Sequence, residues 1–220
     1  MKPVAGATVR ALLCVVALIR PASAQLSVSG TGLVSVVEHR VNAGNRVEQS
    51  SGTTFGGVGR LGIGSVLELT FQAASGELTA DSAGADDRNL AEAEFRAAVL
   101  AVPWLALYAG VGVRSYATTF ARQRWISSRL GAEARLAFVG GALRSVVRFE
   151  LLPTVSVSGL EKPNRALAAG AGMEWRIGIL TASILYSLER YDFPLARDVT
   201  RHEQLSALTA KLGLGLGSRE

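Results

Sequence analysis

Leu208-Thr209-Ala210-Lys211-Leu212-Gly213-Leu214-Gly215-Leu216-Gly217 alternates strictly between apolar residues and residues that are polar or glycine. Side chains of a strand point alternately to opposite faces. This stretch therefore predicts a strand with one apolar face and one face of glycine and polar groups. The same period recurs, with interruptions, back to Leu26 and predicts ten strands. They cover roughly 26–41, 53–63, 66–80, 89–101, 104–118, 124–138, 142–157, 165–177, 179–191 and 203–217. The first is the least regular, because Val36 and Val37 break its alternation. Consecutive strands of this kind predict an all-β, closed antiparallel up-and-down barrel, with eight or twelve strands as the neighbouring alternatives.

The connections sharpen that expectation. Short ones fall at Ile63-Gly64-Ser65, Val102-Pro103, Gly140-Gly141 and Gly178. Long polar ones fall at Asn42–Gly52, Asp81–Arg88, Thr119–Gln123, Ser158–Asn164 and Asp192–His202. Antiparallel strands then gather the short turns at one end and the long loops at the other, the asymmetry of transmembrane barrels. Aromatics also cluster near strand ends. Trp104, Phe138 and Trp175 lie towards the short turns, and Phe55, Tyr116, Phe120, Trp125, Tyr191 and Phe193 towards the long loops, as two girdles would require.

The direction of the faces decides between a membrane barrel and a soluble one. A soluble periplasmic barrel would keep its apolar face inside, around an apolar ligand. Three features predict the reverse. Gly110, Gly112, Gly131, Gly170, Gly172, Gly213, Gly215 and Gly217 share the charged face, where opposing long side chains compete for interior space. After residue 24 the chain has 18 Arg and two Lys, and Arg suits buried bidentate pairing. The turns also place opposite charges across from each other: Glu133 with Arg148, Arg60 with Glu68 and Glu92 with Arg114. The expected lumen network comprises Arg60, Glu68, Glu92, Arg96, Arg114, Arg129, Glu133, Arg135, Arg148, Glu150, Glu174 and Lys211. Ten strands enclose little more than the eight-stranded barrel that side chains can fill. A mostly plugged lumen is therefore expected.

Residues 1–24 have the pattern of a secretory signal: Lys2 and Arg10, an apolar run over Ala11–Ile19, and Ala22-Ser23-Ala24 before Gln25. Cleavage there removes three bases, no acid and the single cysteine, Cys14, so the net charge falls from +5 to +2. No thiol chemistry is then available, and no basic stripe marks a nucleic-acid partner. The remaining chain, residues 25–220, is one domain by length.

Across residues 25–217, the signal-like start, alternating segments, short and long connections and glycine-alternating final strand resemble small Gram-negative outer-membrane β-barrel proteins. The resemblance implies location in the cell outer membrane. It also implies contact with outer-membrane lipid and lipopolysaccharide, and insertion by the barrel-assembly machinery. One departure stands out. Final strands of that class end in an aromatic residue, whereas this chain ends Leu216-Gly217-Ser218-Arg219-Glu220.

Candidate chemistry is sparse. His202 lies near Asp198 and beside Glu203, an arrangement similar to outer-membrane proteases, which carry Asp and His at the external rim. A loop-borne acid–base pair there would make the chain a hydrolase. Asp81, Asp86 and Asp87 are further acidic candidates, without the spacing of a calcium loop. His39, near Ser35, would serve a lipid-modifying barrel if both faced the bilayer. A solvated-loop origin is the simpler account for His202 and the three aspartates, His39 and Ser35 form no apparent catalytic arrangement, and no cofactor is expected. The expectation is a non-enzymatic barrel with a structural, adhesive or narrow-channel role, with the rim hydrolase and the soluble barrel as alternatives.

Overall fold

The computed structural model describes residues 26–81, 86–119, 121–138, 142–195 and 199–216. The signal-like segment, Cys14, Phe120, the Gly140-Gly141 turn, Asp198 and Gly217 lie outside them. Ten strands run in chain order: β1 (Leu26–Ala43), β2 (Arg46–Ile63), β3 (Leu67–Ala80), β4 (Arg88–Val102), β5 (Leu105–Ala117), β6 (Arg122–Ala137), β7 (Leu143–Val157), β8 (Arg165–Ile177), β9 (Leu180–Asp192) and β10 (Arg201–Leu216). Each pairs antiparallel with the next, and β10 pairs with β1 to close the barrel.

The apolar face of the alternation is the outer one. Leu107, Val111, Leu212 and Leu214 are each more than half exposed on the outer wall, and Phe71, Phe149, Leu130 and Ile184 continue the belt. Their neighbours one residue along, such as Arg114, Arg129 and Glu150, are buried inside. Apolar out and charged in is the inverse of a soluble barrel and the pattern of a membrane-spanning one.

Three local features depart from the sequence expectation. First, Asn42–Gly52 is not a long loop. Ala43 pairs with Arg46, so a two-residue turn joins β1 to β2. Gly44 takes the positive φ, 58°, that such turns demand, and its amide donates to Thr200 at 3.0 Å. Second, the β2–β3 turn sets Ile63 opposite Leu67. Arg60 therefore faces Thr70, not Glu68, which lies across from Gly62. Third, one strand of each of the β4–β5 and β6–β7 ladders is bulged. A shift between Leu100 and Val102 offsets the Val102–Leu105 pairing and still brings Glu92 opposite Arg114. On β7 the residues around Pro153 carry the bulge, where proline has no amide to offer the ladder. The bulge flips the alternation, so Val155 and Val157 turn inward.

The aromatic girdles are also revised. Trp104, Phe138, Trp175 and Phe55 face outward as expected. Tyr116, Trp125, Tyr191 and Phe193 instead point inside and are buried. The Trp125 ring meets Tyr191 at 4.9 Å and Phe193 at 6.0 Å, edge-on. With Val37, Leu78, Leu90, Val155 and Leu205 they form an apolar core inside the loop half of the barrel. Burying these rings and aliphatic chains stabilises the loop half of the barrel.

Two interior glycines do make room for opposing side chains. A β-carbon at Gly131 would stand 2.5 Å from the Tyr108 ring, and one at Gly112 would stand 3.0 Å from the Arg129 guanidinium. Gly131→Val is expected to cost about 1–3 kcal/mol through overpacking, read as a lower midpoint in urea unfolding of the folded barrel.

Candidate functional site

The lumen is stratified from the short-turn end to the loop end. Nearest the short turns, Glu133 joins two strands' worth of arginine. It accepts Arg148 Nη2 at 2.6 Å from the facing strand and Arg135 Nε at 2.7 Å from its own. Arg135 Nη2 donates to Glu68 at 3.2 Å across the barrel. Glu174 on β8 lies opposite Arg144 on β7. Arg60 and Lys211 line a cavity at this level, and Lys211 Nζ donates to Gln72 at 3.1 Å.

The middle layer is a continuous guanidinium–carboxylate lattice. Arg129 Nη1 donates to Glu150 and its Nη2 to Glu189, both at 2.7 Å. Arg114 Nη1 donates to the other oxygen of Glu189 at 2.8 Å, and its Nε and Nη2 reach Glu92 at 3.3 Å. Arg96 contacts Glu94 and lies 3.5 Å from Glu150. Tyr191 completes the shell of Glu189 by donating its hydroxyl at 2.6 Å. These links join β4, β5, β6, β7 and β9, so they cross the bore instead of following its wall. A cavity of ≈ 100 Å³ remains among Glu92, Arg114, Ser127, Arg129 and Glu189.

The upper layer holds a second polar group beside the aromatic core. His39 is buried and stacks on Tyr116 at 4.5 Å. Arg88 Nη1 donates to His39 Nδ1 at 3.2 Å. A guanidinium can only donate, so Nδ1 accepts and the ring proton sits on Nε2, 3.2 Å from Glu203. Arg201 Nε also donates to Glu203, at 2.7 Å. Ser35 and Thr209 share a hydrogen bond at 2.8 Å. His39 and Ser35 both face the lumen, so neither meets the bilayer as a lipid-modifying site would need.

His202 is elsewhere. It alternates with the inward Glu203 and so projects from the outer wall, where its Nδ1 lies 2.7 Å from Asp192 directly across on β9. Asp87 accepts the Ala80 amide at 2.8 Å, and the Asp86 carbonyl accepts from Arg88 at 3.3 Å. The acidic loop is thus engaged in its own turn and is not gathered with His202. Among the described residues, no group of three His, Cys, Asp or Glu is placed to hold a metal ion.

Glu94, Glu189, Tyr191, His39, Arg88 and Glu203 belong to these layers and were absent from the expected network. Their strand parity places them inside, and that signal was available for Glu94 and Glu189. Tyr191 carried no such signal, because an interior aromatic and a girdle aromatic look alike in sequence.

No protein-family model and no curated protein matches the sequence. Solved structures match in fold. The outer membrane protease OmpT from Escherichia coli superposes with a TM-score of 0.58 at 9% identity, covering 90% of this chain and 99% of that chain. The beta domain of the Bordetella autotransporter BrkA gives a TM-score of 0.46 at 12% identity, covering 84% of this chain and 98% of that one. Neisserial surface protein A gives 0.38 at 11% identity, covering 84% and 96%. At such identities the likeness is one of architecture: the chain has the closed-barrel fold of small Gram-negative outer-membrane β-barrel proteins.

Proposed function

We propose that this chain is an outer-membrane barrel of the non-conducting kind, with a structural or adhesive role displayed at its loop end. The observation that carries the reading is the lattice of Arg114, Arg129, Glu150 and Glu189 across the bore, roofed by Trp125, Tyr191 and Phe193. An open porin keeps a water-filled channel. Here paired charges fill the middle, and an apolar core closes the loop half. The outward apolar belt and the signal-like N-terminus support the outer membrane as its location. Lipid and lipopolysaccharide would surround the belt, and the barrel-assembly machinery would insert it.

Two measurements test this reading. The folded protein is expected to run at a different apparent mass on a denaturing gel before and after boiling, and to fractionate with outer membranes. In a planar bilayer it is expected to stay silent; a steady ohmic conductance would overturn the plugged lumen.

The rim hydrolase is the second reading, favoured by the 2.7 Å contact of His202 with Asp192. That pair lies on the outer wall, and both side chains are more than a quarter exposed. As a solvent-exposed hydrogen-bonded pair it is worth about 0–1 kcal/mol. His202→Ala is therefore expected to leave the unfolding midpoint nearly unchanged. Loss of a peptidase or esterase activity in that variant would move the assignment to the hydrolase.

A further inference from the structure

The chain's two histidines are His39 and His202, and His39 alone is buried. On the outer wall the apolar run ends at Val36 on β1 and at Leu208 on β10. Leu26–Val36 already supplies the roughly 9–11 residues that a tilted strand needs to cross a bilayer. Glu38 and Arg40 continue that face of β1, as Gln204 and His202 do on β10, so His39 and Glu203 lie beyond the span, at the loop end. Five strands meet around the ring. On β10, Glu203 faces its Nε2 at 3.2 Å, and Arg201 shares that carboxylate. On β4, Arg88 donates to its Nδ1 at 3.2 Å. On β5, Tyr116 stacks on the ring, and Arg114, itself bound to Glu92 and Glu189, acts on it through its charge. On β2, Ser50 lies directly across the ladder from His39 on β1, and Glu48 stands 4.0 Å from the Arg88 guanidinium.

Arg88 gives this site two states. A guanidinium has donors and no acceptor, so its bond to Nδ1 exists only while Nδ1 keeps a lone pair. A proton on Nδ1 makes both ring nitrogens donors, sets an imidazolium against Arg88 and breaks that bond. Nε2 keeps its bond to Glu203, now as an ion pair. Arg88 has a second acceptor in reach, because its Nη2 already stands 4.0 Å from the exposed carboxylate of Glu48. It is also the first residue of β4, so only the end of the ladder has to adjust when its side chain turns to the rim. We propose that His39 is an acid-sensitive switch for the loop end: protonation of Nδ1 expels Arg88 from the interior towards Glu48. Burial does most to hold the ring below the ordinary histidine pKa; Glu203 opposes it, and Arg88 and Arg114 add to it. The neutral ring therefore contributes stability that is present above about 6.5, the ordinary value, and is lost as the pH falls below it towards the folded value. The switch goes beyond a display role for the loop end and does not depend on one.

The test uses the full folded barrel in detergent. His202→Ala changes only an exposed side chain and leaves His39 as the chain's one histidine, so nitrogen NMR of a histidine-labelled sample reads this ring alone. The spectrum expected at about pH 8 is that of the Nε2–H tautomer, with a titration midpoint below about 6.5. Adding Arg88→Met is expected to raise that midpoint, because the cation facing Nδ1 is gone. Adding Glu48→Gln is expected to lower it, because the expelled guanidinium loses its acceptor. The thermal midpoint of the unmodified barrel, read by the heat-dependent gel shift, is expected to fall by several degrees between about pH 8 and about pH 5. The fall is expected to be smaller in His39→Gln, whose amide offers a donor and an acceptor and does not titrate. An Nδ1–H tautomer or a titration midpoint at or above the ordinary value would overturn the switch, and both are read with the cluster itself unmodified. A titration midpoint unmoved by Arg88→Met or by Glu48→Gln, or an equal thermal fall in His39→Gln, would overturn it as well.

Discussion

Replacing Arg129 by methionine should be the most damaging single change in the lumen. The guanidinium bonds Glu150 and Glu189 at 2.7 Å each and is itself buried. Methionine keeps much of the stem but leaves Glu150 with only Arg96 and Arg148 as cations, and Glu189 with Arg114 and the Tyr191 hydroxyl. Removing one partner of a buried ion pair costs about 3–5 kcal/mol, because the remaining charge stays out of water. The change should appear as a large fall in the urea midpoint of the refolded barrel. A double replacement, Arg129→Met with Glu150→Gln, should recover part of the loss, since the lattice then gives up a positive and a negative charge together. If the loss in the double variant equals the sum of the losses in Arg129→Met and Glu150→Gln alone, the two side chains are not energetically coupled.

Val111→Arg should be the most damaging change on the outer wall. Val111 is the middle residue of β5 and half exposed on the belt. A cation at the bilayer midplane of a barrel costs about 2–4 kcal/mol and much less near the interfaces. Val111→Leu should be close to neutral. The pair is measured by denaturant titration in lipid vesicles, with the intrinsic tryptophans as reporters. An arginine tolerated at Val111 would mean that this wall meets water.

The fold was largely legible because the alternation of β3, β5, β8, β9 and β10 is regular, and strand parity fixes which residues share a face. Charge then supplied the direction. Glu92 opposite Arg114 and Glu133 opposite Arg148, together with the glycines and the Arg excess on the same face, favour an enclosed face. The misreadings share one physical origin. Above the lattice the interior changes from polar to apolar, so the outer and inner faces of a strand no longer contrast. Val36 and Val37 looked like a break in β1, yet the strand is continuous, with Val36 outside and Val37 in the core. For the same reason Trp125, Tyr116 and Tyr191 passed for girdle aromatics.

Turn chemistry accounts for the rest. The polar run from Asn42 to Gly52 has the composition of a loop. Gly44 at positive φ instead allows a two-residue turn, and β2 begins at Arg46. One residue of difference in the β2–β3 turn moved Arg60 away from Glu68. That slip matters for the lumen, because Arg60 then faces Thr70 across the ladder. The lattice across the bore was beyond sequence altogether. Arg129 of β6 meets Glu189 of β9, three strands away, and no local pattern specifies contacts through the interior.

The central claim is that the apolar face meets lipid and the charged face fills the bore. It is tested most directly by placing single nitroxide spin labels at positions 107, 111, 212 and 214 of the folded barrel in lipid vesicles. Power saturation then compares access of oxygen, which concentrates in the bilayer, with access of a water-soluble nickel chelate. The account predicts mobile labels with high oxygen access and little chelate access at all four positions. Immobilised labels shielded from oxygen, or labels reached preferentially by the chelate, would place Leu107, Val111, Leu212 and Leu214 inside or in water and contradict it.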